Sequence, residues 1–441
     1  MAWSVGFMGA SLSYYSDYWI SIYGQGTTSY EAPQGLTTDT SGNTYLIGYA
    51  GGYPLGATNK IFVAKLDSKG KKLWQKYYQN GSYDAHGTEI NFGADGYLYV
   101  SGISSQTVGY AVVMKLNTDG AIIWQKTVGD GTNSYGVFHT RSSTVDPFGN
   151  TTTIVRGGTA GTYTSARFNT TGDVFSGSFF KPAHASNGYF DQVLIEGSTQ
   201  NVYYAGDYAS TGSFTEAYGL LSKTSETGGH LWSMYYNNTT DRYSSVVNLW
   251  ADTTYVYTAS YTSPDSSSGL YAVITKFNGS NGSVVWSRAI ANGFFRSVAV
   301  SAAGNVYVYG ENRVNNAMYV AKWNSSGVLQ WQRDLTKVSP FYGAMMRVDS
   351  SENLYMNIGY YTGAGGSSDA CIGAVKLPGD GSLTGTYGEF TYSAATLTES
   401  AAPHSWASTS MSMSTISLTP GTGALTAADT NQLPVLRANI G

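Results

Sequence analysis

The chain repeats itself, and that repetition constrains its fold more than any other feature. The unit is clearest from Gly35 to Tyr78. It runs Asp39-Thr-Ser-Gly-Asn43, Thr44-Tyr-Leu-Ile-Gly48, Ile61-Phe-Val-Ala-Lys65-Leu-Asp67, a tight Ser68-Lys-Gly70, and Lys72-Leu-Trp74-Gln-Lys-Tyr-Tyr78. Short segments rich in β-branched and aromatic residues, separated by turn-forming Gly, Asn and Asp, predict a four-stranded antiparallel meander. The string returns roughly every 50 residues, as repeat architectures do.

Three anchors count the units. The second strand ends on a small residue: Gly48, Gly102, Gly157, Gly206, Ala259, Gly310 and Gly359. The third ends on a basic one: Lys65, Lys115, Arg167, Lys223, Lys276, Lys322 and Lys376. A glycine turn follows (Gly70, Gly120, Gly172, Gly228, Gly282, Gly327, Gly381), and the fourth strand carries Trp74, Trp124, Trp232, Trp286 and Trp331, with Phe175 in the third unit's place. Four strands per repeat is the propeller signature, so the expectation is an all-β, seven-bladed β-propeller of four-stranded antiparallel blades. The blades should span about 35–79, 88–129, 139–181, 190–237, 244–291, 295–335 and 343–390. Glycine at the end of the second strand marks a close backbone approach where inner strands converge. The glycine turns need a positive φ, and the tryptophans have the area to cover the face between adjacent blades.

Tyr18-Trp-Ile-Ser-Ile-Tyr-Gly24 matches the fourth-strand pattern but has no first three strands before it. It is expected to close the last blade, in competition with Ser382-Leu-Thr-Gly-Thr-Tyr-Gly388, which lacks the tryptophan but could close a short local hairpin. The organisation is then residues 1–16 as an N-terminal segment, 17–390 as the propeller and 391–441 as an extended C-terminal anchoring tail. Within the tail, Ser410-Met-Ser-Met-Ser-Thr-Ile-Ser-Leu418 alternates with one slip of phase at Thr415, suggesting a strand in need of a partner edge. A disordered tail is the alternative.

Composition narrows the function classes. Only 12% of residues are charged, the net charge is −4, and no Lys/Arg block occurs, which argues against nucleic acid as a partner. No apolar run is long enough for a membrane helix, so no membrane insertion is expected. The N-terminus has no basic region of the secretory type. Surfaces covered by Ser, Thr, Asn, Gln and Tyr are typical of extracellular adhesins and virion parts. The single Cys371 excludes an intramolecular disulfide framework and reads as a small buried hydrophobe.

Candidate chemistry is sparse. His86, His139, His184, His230 and His404 are dispersed without ligand spacing, so neither a metal nor any other cofactor is expected. Asp39-Thr-Ser-Gly-Asn43 and Asp146-Pro-Phe-Gly-Asn150 read as Asx turns rather than calcium loops. No nucleophile elbow, P-loop or dinucleotide fingerprint stands in a suitable context, and no catalytic residue is assigned. The basic series from Lys65 to Lys376 could form a cationic ring for an anionic glycan, but its presence in every unit favours a structural role. An aromatic residue follows each outer strand: Tyr30, Tyr83, Tyr135, Tyr189, Tyr243, Phe295 and Tyr342. Lying in the fourth-to-first-strand loops, these would cluster on one face, as junction plugs or as stacking platforms for sugars.

Two families resemble this pattern. Ala64-x-x-Asp67-x-x-Gly70-x-x-x-Trp74 and Thr227-Gly228-Gly-His-Leu-Trp232 resemble the tryptophan-docking repeat of quinoprotein dehydrogenases. That family usually has eight blades and ligands for pyrroloquinoline quinone and calcium, so only the scaffold carries over. The Asp-x-x-Gly-Asn-x-Tyr-x-x-Gly unit of Asp39 to Gly48 is similar to bacterial SBBP-type propeller repeats, and Lys376-Leu-Pro-Gly-Asp-Gly-Ser-Leu-Thr-Gly-Thr-Tyr-Gly388 to propeller proteins of marine and cyanobacterial phages. The resemblance implies a non-enzymatic, tail-associated virion protein. Its termini would bind other virion proteins, its propeller would meet a host-surface glycan or protein, and copies would form a homo-oligomer in the particle. Assembly would take place in the host cytoplasm before release. The alternatives are a propeller enzyme of quinoprotein, lyase or lactonase type, and a bacterial scaffold protein.

Overall fold

The computed structural model describes residues 17–23, 29–52, 59–79, 83–105, 109–128, 140–156, 163–182, 187–197, 199–209, 217–237, 243–263, 269–337, 341–361, 370–403, 405–409, 411–415, 421–422, 426–429 and 434–440. The described residues form no helix, and their strands build propeller-like antiparallel sheets. The first sheet joins Ser29–Thr38, Thr44–Gly52, Lys60–Leu66 and Lys72–Gln79 in sequence order. The same meander recurs with first strands Ala85–Phe92, Thr140–Val145, Asn187–Ile195, Tyr243–Ala251 and Gly293–Val300. The fourth and fifth meanders share one sheet through a single parallel pair, Ala217↔Tyr243.

The last meander is completed from the other end of the chain. Phe341–Tyr342 and Met346–Val348, then Asn353–Tyr361 and Ala370–Pro378, supply three strands, and Tyr18–Tyr23 pairs with the third, Trp19 opposite Lys376. The rival segment goes elsewhere: Gly385–Tyr387 pairs with Phe390–Ala394 in the sixth sheet. Burial decides this. Trp19 is fully buried and donates its indole N–H to the Ser68 carbonyl at 3.1 Å, whereas Thr384 in the rival carries no comparable apolar surface.

Tryptophans link several of the sheets to the next. The indoles of Trp74, Trp124, Trp232 and Trp286 donate to Thr118, Thr170, Gly279 and Ser325, carbonyls in the following sheet's last turn, at 2.9–3.2 Å. Each ring lies on the turn glycine beside that carbonyl. Gly70 has φ +74°, and a Cβ there would fall closer than 3.0 Å to the Trp19 ring, so the position needs glycine for conformation and for space. In the third sheet the register puts Ser176, not Phe175, opposite Arg167, where other sheets pair tryptophan with lysine. The place expected for Phe175 therefore belongs to Ser176, which follows Gly172 by four residues as Trp74 follows Gly70.

Five of the first strands begin earlier than the repeat suggests, and each of the five carries a register shift. The bulges fall between Pro33 and Gly35, Gly87 and Glu89, Phe190 and Gln192, Val246 and Asn248, and Phe295 and Ser297. A bulge inserts a residue and breaks the alternation that marks a strand. It also supplies the reason for glycine in the second strand: at Gly48 and Gly310 a Cβ would strike the carbonyl of Ala32 or Phe294 in the bulged strand of the same sheet. Each first strand touches those of the neighbouring sheets, and Ser29–Thr38 touches both Ala85–Phe92 and Met346–Val348.

The segment after Pro378 does not stand apart from the sheets. Phe390–Ala394 adds a fifth strand to the sixth sheet, Glu399–Ala401 to the fifth, Ser405–Thr409 to the fourth and Met411–Thr415 to the third. Gly421–Thr422 then pairs in the second, Thr426–Asp429 in the first, and Pro434–Ile440 with Tyr18–Tyr23 in the seventh. The strand expected over Ser410–Leu418 thus forms as Met411–Thr415, and the edge it needs lies in its own chain. Phe390 and Tyr392 are fully buried, and Trp406 packs against Tyr236 with ring centroids 4.0 Å apart. These side chains give the belt an apolar reason to dock.

Candidate ligand site

The bulges aim the residue after each shift inward. At that level the sheets present Gly35, Glu89, Ser143, Gln192, Asn248 and Ser297, a small or polar series between apolar strands. Around them lies a cavity of about 230 Å3 lined from the first strands of six meanders, with Glu89, Asn91, Gln192, Asn248, Trp250 and Arg347 among its walls.

Most of these polar groups tie neighbouring strands together. Asn248 donates to the Gln192 side chain at 3.2 Å and accepts from the Val298 N–H at 3.0 Å. Ser297 Oγ accepts from the Met346 N–H at 3.0 Å, and Asn91 donates to the Ser143 carbonyl at 2.8 Å. Hydrogen bonds of this kind satisfy buried groups and fix the spacing of the strands.

One pair differs. Arg347 Nη2 lies 3.3 Å from Glu89 Oε1, linking residues 258 positions apart. The pair spans the first sheet's place in the series, where Gly35 has no side chain and a Cβ would sit 3.3 Å from the Glu89 Cα. Glu89 is 3% exposed, and burial pushes its carboxyl up to about 7, against the opposing pull of the Arg347 guanidinium and the Ile90 N–H. A carboxyl there changes between hydrogen-bond donor and acceptor near neutral pH.

The basic series takes a different place. Lys65, Lys115, Lys223 and Lys276 donate to Thr118, Thr170, Gly279 and Ser325, the same carbonyls that receive the indoles. Lys322 bonds Glu352 at 3.1 Å, and Arg167 bonds Gln200 at 2.9 Å. Six tyrosines lie under the six lysines, with centroids 4.8–5.5 Å from the ammonium, Lys376 over Tyr355 among them. Burial pushes the ammonium groups of Lys276 and Lys376 down from their ordinary value. These side chains sit between sheets, not in the cavity.

Five members of the aromatic series lie in strands and not in loops, whereas Tyr83 precedes the strand Ala85–Phe92. Tyr30, Tyr189, Tyr243, Phe295 and Tyr342 belong to first strands, ahead of the bulges where bulges occur. Phe295 is fully buried against Trp323 and Tyr319, Tyr243 is half-buried, and Tyr83 is 45% exposed. Tyr135 lies outside the described residues, as do His139, His184 and His404; the side chains of Tyr30, Tyr189 and Tyr342 also fall outside them. His86 meets Asn59 and His230 meets Ser233, in separate sheets. The Asx reading of the acidic turns holds: Asp39 and Asp146 each accept two backbone N–H groups and their own asparagine side chain at 2.7–2.9 Å.

Glu89 and Arg347 had a sequence signal that the anchors pass over. They are charged residues in strands whose repeat partners at that level are uncharged. No family model matches the sequence, and no curated protein matches it. Among solved structures it is similar to an apocarotenoid oxygenase of Synechocystis, at 12% identity and TM-score 0.43 over 82% of this chain and 93% of that one. It is similar also to the aldose sugar dehydrogenase of Streptomyces coelicolor, at 11% and 0.35 over 81% and 98%. A GH43 endo-arabinanase of Bacillus licheniformis matches at 12% and 0.28 over 70% and 99%. Likenesses this low say nothing of activity.

Proposed function

We propose that the seven meanders close into a single ring, a seven-bladed β-propeller, and that this ring is a non-enzymatic component of a bacteriophage virion. In this reading it is tail-associated and displayed outward for adhesion to a host-surface glycan or protein. Closure is supported by first strands that touch their neighbours in order, the last sheet touching the first, and by Trp19 of the seventh sheet docking on Gly70 of the first.

One observation carries the virion reading: Pro434–Ile440 pairs with Tyr18–Tyr23 after the belt has passed every other meander. A protein with one cysteine gains no disulfide stability. A belt along the outer edges covers the unpaired N–H and C=O groups through which propeller rims aggregate at high local concentration, as in a particle. With the tail so used, attachment to other virion proteins falls to residues 1–16. Phage particles purified by density gradient should contain the chain at a fixed ratio to the major tail protein. Its absence from particles, with expression in the lysate, overturns the reading.

A propeller enzyme is the competing reading, and the observation that favours it is Glu89, a cavity carboxyl poised near neutral pH. General acid–base chemistry on a sugar uses two carboxyl groups, and among the described cavity walls Glu89 is the single one.

A further inference from the structure

We propose that the central cavity is a binding site for one neutral sugar ring, held by Glu89, Arg347, Asn91 and Trp250. The inference deepens the adhesion reading by naming where and what the ring would bind, and it is testable without particles.

Size comes first. At about 30 Å3 per water, a cavity of 230 Å3 holds roughly seven or eight waters, below the range of about 300–1,000 Å3 for drug-sized ligands. A single pyranose fits that space and an oligosaccharide does not, so one terminal or branching residue would enter.

Polarity comes second. A neutral sugar presents hydroxyls that donate and accept, plus an apolar ring face. The cavity offers the matching set. Among the described residues Asn91 Oδ1, Arg347 Nε and Trp250 Nε1 make no hydrogen bond within the protein, while all three side chains line the space. Arg347 is 31% exposed although its partner is buried, so its guanidinium has a free side toward the cavity. Glu89 supplies an oxygen able to accept from a hydroxyl as carboxylate or donate to one as acid.

Charge comes third. The other polar walls, Ser143, Thr144, Gln192 and Asn248, are uncharged, and the Glu89–Arg347 pair is neutral in sum when both are ionised. An anion would have to displace Glu89 from Arg347 or wait for its protonation. A cation would lose the acceptor that Arg347 already occupies. A neutral polyol loses neither and adds hydrogen bonds to both partners, which are worth more when one partner is charged.

The test uses the full chain in solution with glucose, galactose, mannose and N-acetylglucosamine as probes, and glucuronate as the anionic arm. Saturation-transfer NMR reads contact, and titration at millimolar sugar reads affinity. At least one neutral probe should bind, and Arg347→Met should weaken it by about tenfold or more, the effect of losing a charged hydrogen bond. Glu89→Gln keeps the shape of the wall but removes the charged acceptor, so it should weaken binding several-fold and remove its change with pH across neutrality; full binding with an unchanged pH profile in the folded variant overturns the place given to Glu89. Far-ultraviolet circular dichroism and the unfolding midpoint of each variant separate a lost site from a lost fold. Binding of glucuronate alone, no binding by any neutral probe, or equal binding by folded Arg347→Met overturns the proposal. If the chain is absent from particles but binds sugar, the cavity assignment stands and the virion reading falls; the converse result separates them the other way.

Discussion

Replacing Gly70 with alanine tests the contact that joins the N-terminal strand to the first sheet. Gly70 sits at φ +74° with its added Cβ inside the Trp19 indole; Gly96 sits at φ +80° with nothing within 4 Å. Both variants incur the left-handed cost of an L-residue, about 1–2 kcal/mol, offset by about 0.4–1 kcal/mol from a stiffer unfolded chain. Gly96→Ala should therefore lose between about 0 and about 1.6 kcal/mol. Gly70→Ala must also push the indole aside, an overpacking cost of about 1–3 kcal/mol. The move breaks the 3.1 Å bond to the Ser68 carbonyl, worth about 1 kcal/mol more. The expected difference between the variants is about 2–4 kcal/mol. Urea unfolding of each, with Trp19→Leu/Gly70→Ala to close the cycle, reads it: the double variant should lose less than the sum of the singles. Equal losses for Gly70→Ala and Gly96→Ala would refute the docking of Trp19.

Truncation after Ala395 keeps the buried Phe390 and Tyr392 but removes the fifth strand from six sheets. The product should self-associate through bare edges; light scattering that finds a monomer as stable as the full chain contradicts the belt. Deleting residues 1–24 should lower the unfolding temperature by removing Trp19 and the strand between Ala370–Pro378 and Pro434–Ile440; an unchanged temperature would return Gly385–Tyr387 to consideration. Glu89 makes stability fall as pH rises. Its native value near 7 lies above the ordinary 4.5, so the unfolded chain loses the proton first, and stability declines from about pH 4.5 to 7 and then levels off. That interval is worth about 3 kcal/mol, and Glu89→Gln should flatten the profile there; an identical pH dependence in wild type and variant contradicts the burial of an ionisable carboxyl.

The repeat was legible because each anchor answers a requirement met inside one unit or its neighbour. Lysine, glycine and tryptophan meet at one turn carbonyl, so they recur at fixed spacing, and from Trp19 the closing strand could be inferred. Where spacing slips, inference slipped. The third unit's Phe175 attracted the tryptophan's place although Ser176 holds the register. The bulges hid the starts of the first strands, so Tyr30, Tyr243 and Phe295 looked like loop residues. The belt has segments of two to seven residues, each paired with a different sheet in reverse order, and no local pattern records that. Glu89 and Arg347 meet across 258 positions, a pairing that no local pattern in the sequence records.

The central claim is that Tyr18–Tyr23 and Pro434–Ile440, from opposite parts of the sequence, lie side by side in one sheet. Tyr18 stands opposite Ile440 in the antiparallel pair of Tyr18–Tyr23 with Pro434–Ile440. Directly opposed residues have Cα atoms about 4.5–5.5 Å apart, within disulfide range. Tyr18→Cys and Ile440→Cys, introduced with Cys371→Ala, should therefore form an intramolecular disulfide under mild oxidation. The monomer would then migrate faster on a non-reducing gel, and peptide mapping would recover the two termini as one linked species. Two free thiols in the folded monomer, or disulfides formed only between separate chains, would contradict the account.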